Sequence, residues 1–158
     1  MKSFHIVLAL LLPVVLIACD RQPVAEPDSG AETAISDSDS LIEALRAAGA
    51  TVEPAGVLEE PVFQTEAQMI TVNGESVQVF EFESEEAAKA AAGTVSQAGT
   101  LIGETIVEWR DAPHFYRAGR VIVIYAGNNE ATLNTLQAVL GEPFATGVGM
   151  FPSETPDA

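Results

Sequence analysis

Cysteine, histidine, basic residues and tryptophan are all scarce in this chain: one Cys, two His, seven Lys or Arg and one Trp among 158 residues. With Cys19 as its only cysteine, the chain can close no internal disulfide and offers no thiolate set for zinc or an iron–sulfur cluster. His5 falls in an apolar N-terminal stretch, which leaves His114 with no second imidazole for a zinc site. No serine stands in a G-x-S-x-G context, so a histidine base has no marked nucleophile to activate. Against 7 basic residues stand 23 acidic ones, a formal charge of −16. Such a surface repels nucleic acid and anionic headgroups, and no nucleic-acid partner is expected.

Motifs for cofactors are missing too. Gly147-Val148-Gly149 follows no clear strand and opens no helix, so it is not a nucleotide loop. Two acidic clusters, Asp37/Asp39 and Glu81/Glu83/Glu85/Glu86, lack the alternating oxygen ligands, central glycine and distal glutamate of a calcium loop. Helix capping and solvated charge account for both. No metal, cofactor or catalytic residue is expected.

What is present is sharpest at the N-terminus. Lys2 precedes an apolar stretch from Phe4 to Ala18, broken only by His5 and Pro13. A short basic start and an apolar core of about 7–15 residues read as a secretory signal, too short for a comfortable membrane span. Its end, Leu16-Ile17-Ala18-Cys19, resembles a bacterial lipobox. The resemblance implies a lipoprotein precursor: a diacylglycerol on the Cys19 sulfur, cleavage after Ala18, and a further acyl chain on the new amino group. Several acyl chains hold a protein on a bilayer far better than one, since each buried CH₂ contributes about 0.8 kcal/mol. The membrane is thus an expected partner through Cys19, and the rest of the chain is expected on the extracytoplasmic side. Asp20 next to the lipidated cysteine points to the inner membrane, because in similar lipoproteins an aspartate there retains the protein. Removal of residues 1–18 leaves 6 basic against 23 acidic residues, a charge of −17.

The expected organisation is a signal peptide at 1–18, a lipidated cysteine with a disordered acidic tether at 19–38, one domain at 39–146 and a flexible tail at 147–158. The tether is polar and rich in Pro, Ser and Ala, without apolar periodicity. Ser40 and Glu43 form an S-x-x-E capping box ahead of Leu41, Ile42, Leu45 and Ala48 at helical spacing, and Gly49 stops the helix. Thr51–Leu58 is a weak strand, interrupted by Pro54 and Gly56. Strands at Met69–Val72 and Ser76–Phe82 flank Asn73-Gly74, a strong hairpin signal. Ser84 caps a second helix to about Ala92. Further strands are expected at Thr105–Arg110, His114–Arg117 and Arg120–Ala126, the last two joined by Ala118-Gly119. A third helix, capped by Asn128 or Asn129, ends at Gly141.

The order of elements repeats. A shift of 45 residues sets Gly74 on Gly119, Val77 on Ile122 and Val79 on Ile124; a shift of 44 sets Ala47-Ala48-Gly49 on Ala91-Ala92-Gly93. Two helix-plus-hairpin units and a closing helix predict an α+β fold, an antiparallel sheet with helices packed on one face.

Two-residue turns pair Ile70 with Val77 and Phe115 with Ile122. The first hairpin then has one apolar face (Ile70, Val72, Val77, Val79) and one polar near the turn. In the second, Phe115, Ile122 and Ile124 form one face, while His114, Tyr116, Val121, Val123 and Tyr125 form another that is also rich in apolar residues. That face is covered by the C-terminal tail, or belongs to a central, doubly packed strand, or is a contact surface. Aromatics beside arginines are frequent at interface hot spots. On the last reading Trp109, His114, Tyr116, Arg117, Arg120 and Tyr125 bind an envelope protein or a second copy of the chain. The run Pro113–Arg120 resembles a group of small bacterial lipoproteins of unknown function, which implies no activity. The expected role is a non-enzymatic binding module of the cell envelope. One alternative is a small-molecule or cation-binding lipoprotein using the acidic clusters. An enzyme with His114 as base ranks behind both.

Overall fold

The computed structural model describes residues 34–59 and 61–150. The expected signal peptide, Cys19, Asp20 and the expected tether up to residue 33 lie outside the described residues, as do residues 151–158. Three helices, α1 (Ser38–Ala47), α2 (Glu85–Ala92) and α3 (Glu130–Leu140), are interleaved with eight strands: β1 (Val52–Val57), β2 (Ala67–Val72), β3 (Glu75–Glu81), β4 (Leu101–Ile102), β5 (Thr105–Ile106), β6 (Pro113–Ala118), β7 (Val121–Ala126) and β8 (Ala145–Thr146). Six strands form one antiparallel sheet in the order β1-β2-β3-β7-β6-β8, and β4-β5 is a separate small hairpin. The protein is α+β, with the two expected hairpins merged side by side through β3 and β7. Among the described residues no helix is long and apolar enough to cross a membrane.

Turn chemistry sets the register. Asn73 (φ 54°) and Gly74 (φ 86°) both take positive φ, the requirement of a type I′ turn, and Ile70 pairs with Val77 as expected. The second turn is Gly119-Arg120 rather than Ala118-Gly119, so Phe115 faces Ile124, not Ile122. Only Gly119 has positive φ there (51°), the pattern of a II′ turn with glycine first. Gly119 also meets the incoming chain: a Cβ on it would lie 2.5 Å from the Ile35 carbonyl oxygen.

The sheet is covered on both sides. α1 and α3 share one face, over Val52, Ile70, Val72, Val77, Val79, Tyr116, Val123 and Tyr125. The other face carries Ala67, Phe80, Phe115, Ile122 and Ile124 beneath Phe63, Ile102, Trp109 and the alanines of α2. α2 therefore lies opposite α1 and α3, where one shared face was expected. The strand period of two explains this: residues matched at the odd shift of 45, Val77 and Ile122, point to opposite faces.

Boundaries shift at several points. α1 is capped by Asp37, whose carboxylate accepts from the Ser40 backbone N–H (2.9 Å) while Ser40 Oγ accepts from the Asp37 N–H (3.0 Å). The capping box thus sits three residues before the S-x-x-E match, and Ile35 to Ser38 belong to the domain, with Ile35 packed on the core. The expected strand at Thr105–Arg110 pairs only over Thr105–Ile106. Beyond it the chain turns in to bury Trp109. The start of the expected flexible tail is pinned: Gly147 N–H donates to the Pro113 carbonyl and Met150 N–H to that of Trp109.

Leu45 is fully buried between α1 and the sheet. Leu45→Ala is expected to cost about 2–5 kcal/mol in urea unfolding, against under about 0.5 kcal/mol for Val57→Ala on the exposed edge.

Candidate functional site

The six residues expected to form a contact patch are divided between two cores and a charged corner. Trp109, 8% exposed, packs edge-on to Phe115 with ring centroids 5.6 Å apart, and its Nε1 donates to the Gly99 carbonyl at 2.7 Å. That places it under the α2 side of the sheet. Tyr116 and Tyr125, 2% and 0% exposed, lie on the opposite side beneath α1 and α3. The aromatic face of the second hairpin is therefore a covered face of a central strand. No open aromatic patch is formed by these residues.

His114 stands directly across from Tyr125 and stacks on it, centroids 6.2 Å apart at 22°. Tyr125 Oη donates to Glu75 Oε2 (3.3 Å) and accepts from the Asn129 backbone N–H (3.1 Å), and Asn129 in turn caps α3. Burial lowers the basicity of His114, partly offset by a hydrogen bond with the Gly127 backbone. Its Nε2 is buried and has no hydrogen-bond partner among the described residues. Burial also raises the phenol pKa values of Tyr116 and Tyr125, reinforced at Tyr116 by Glu142. This group ties the first hairpin's turn to the start of α3.

The arginines are half-buried and paired. Arg117 lies 3.7 Å from Glu85. Arg120 lies 2.6 Å from Glu81 and 3.9 Å from Asp37, while its N–H donates to the Ser36 carbonyl. Glu81 completes the corner by accepting from the Ser38 N–H at 3.1 Å. Hydrogen bonds from Ser40 hold the Asp37 carboxyl below its ordinary pKa, with a smaller contribution from Arg120.

A concavity lies elsewhere, at residues that include members of the two acidic clusters. A groove of about 950 Å³ runs between α1 and the ends of β1, β2 and β3. Its volume is at the upper end of the roughly 300–1,000 Å³ common for ligand sites. The floor is apolar, built from Ile42, Val52, Val57, Ile70 and Phe82. Asp39 and Glu43, one helical turn apart on α1, line it together with Glu66, Glu81 and Glu83. Among the described residues Arg46 is the single cation of the lining, and its Nη2 donates to the Val52 carbonyl at 3.1 Å. β1 bulges between Pro54 and Gly56, two residues of the groove lining, and there leaves the sheet's regular register. Asp39, Glu81 and Glu83 come from both acidic clusters singled out in the sequence, which are 42 residues apart at their nearest groove members. Glu43, Glu66 and the apolar floor carried no sequence signal of a site. Among the described residues no three His, Cys, Asp or Glu side chains are grouped to hold a metal ion.

Compared with models of protein families, with curated proteins and with solved structures, the chain matches none.

Two titrations are expected to shape stability. The folded pKa of His114 lies below its ordinary 6.5, so as pH falls through about 6.5 the unfolded chain takes up the proton first and stability drops. His114→Phe should flatten the urea midpoint between about pH 7.5 and 5. The lowered pKa of Asp37 stabilises the fold above its ordinary 3.8, and that contribution is lost as pH falls further. Asp37→Ala should remove this second, acid limb.

Proposed function

We propose that the chain is a bacterial lipoprotein, held on a membrane through Cys19, whose extracytoplasmic α+β domain binds a ligand in the groove beside α1. The observation that carries the binding role is the groove itself, an apolar floor rimmed by carboxylates. It favours a domain that takes up a ligand by charge and burial over one that docks through exposed aromatics, since Tyr116 and Tyr125 are interior. The lipobox at Leu16–Cys19 supports the address, and Asp20 supports retention at the inner membrane. No chemistry is assigned to His114, whose buried Nε2 meets no proton donor or acceptor among the described residues. Its stacking on Tyr125 gives it a packing role.

Lipidation is checked by feeding cells labelled palmitate and separating membranes from soluble extract. The full chain is expected to carry label and sediment with membranes. Cys19→Ser should lose the label and leave the membrane fraction. A Cys19→Ser chain that still sediments would mean that another segment holds it there.

A further inference from the structure

We infer that the groove seats a stretch of polypeptide carrying lysine or arginine among apolar residues; this rests on the groove being the binding site. Four of the rim carboxylates, Asp39, Glu43, Glu66 and Glu83, have no ion-pair partner among the described residues. Glu81 is matched by Arg120, and the guanidinium of Arg46 is turned to a backbone carbonyl. The site is therefore negative before anything enters it, and it selects a cationic occupant.

The same charge disposes of the occupants nearest at hand. A second copy of the chain brings a charge of −16. Residues 20–33 hold Arg21 against Asp20, Glu26, Asp28 and Glu32, and residues 151–158 hold Glu154 and Asp157 with no basic residue. Neither end of the chain complements the rim. Strand addition along β1 is obstructed as well: Pro54 has no N–H, the Val52 carbonyl is taken by Arg46, and the bulge breaks the register. The ligand is thus gripped by side chains in the groove and not by a sheet edge.

The floor separates a polypeptide from a simple polycation. Val57 is 67% exposed, and Ile42 and Phe82 are only partly covered. Lysine and arginine lay their methylene stems on such a surface and send their charged heads to the rim. Apolar neighbours in the same segment cover the remaining floor, which a chain of amines with short spacers does not.

The test is a titration of the full chain with a fluorescein-labelled hexapeptide alternating lysine and valine, followed by anisotropy and by amide chemical shifts. Hexalysine and spermidine serve as comparison probes. Binding should weaken with added salt, about tenfold in Asp39→Lys/Glu43→Lys, and several-fold in Val57→Ser. Glu104→Lys/Glu108→Lys, which reverses two exposed carboxylates away from the groove, should leave it unchanged. Shifts should cluster on α1, β1 and residues 65–70. If spermidine or hexalysine binds as tightly and Val57→Ser has no effect, the groove stands as a cation site and the polypeptide inference is overturned. If shifts fall elsewhere, or the Glu104/Glu108 control weakens binding equally, the groove reading itself fails. Absence of binding by every probe up to about 1 mM also overturns the inference.

Discussion

β7 presents five consecutive buried side chains, Val121 to Tyr125, and a strand that hides both of its faces needs a layer on each side. The rest of the domain answers that need. α1 and α3 cover the valine and tyrosine side, while α2, Phe63 and the excursion through Trp109 cover the isoleucine side. β3 and β6 supply the flanking backbone partners, so the central strand has no free edge. The outer strands, β1 and the two-residue β8, are left as the sheet's margins, and the groove lies beside β1.

The corner built on Arg120 joins these layers. One guanidinium meets carboxylates from the start of α1 and the end of β3, and the same residue's backbone receives Phe82 and reaches Ser36. Exposed pairs of this kind contribute little singly, about 0–1 kcal/mol. Their effect here is positional. They fix where the chain enters the domain and hence where α1, with Asp39 and Glu43, faces the sheet. The charged corner and the acidic groove lining are adjacent, and they share Glu81.

Much of the fold was legible because local rules and tertiary demands agree. Asn73-Gly74 gave the first hairpin and its pairing, and Ser84, Gly93, Gly141 and the Asn128-Asn129 pair, of which Asn129 is the cap, marked the helix limits, all from turn and cap chemistry that acts over a few residues. The second turn was misplaced by one residue because Ala118-Gly119 and Gly119-Arg120 both put a glycine in the turn, and only the sheet's register decides between them. For α1 the sequence was read as a Ser40/Glu43 box, whereas the cap that forms three residues earlier is the one whose Asp37 also lies near Arg120. The doubly apolar second hairpin was ambiguous in principle: alternation tells which residues share a face, not what lies above it. The groove was illegible for a related cause: Pro54 and Gly56 mark the break in β1 and the acidic clusters are plain, but nothing local says that α1, β1, β2 and the residues after β3 meet there.

The chain order has a consequence for how the domain assembles. β3, complete at Glu81, finds its inner partner only in β7, and the entry segment at Ser36 closes onto Arg120. Until Val121–Ala126 is available, β1, β2 and β3 have an apolar face and an unpaired inner edge with nothing to complete them. Loop closure over such separations is the slow, entropically costly part of folding. Commitment to the native state is thus deferred to the last third of the chain, and a chain truncated before β7 retains no route to a closed core.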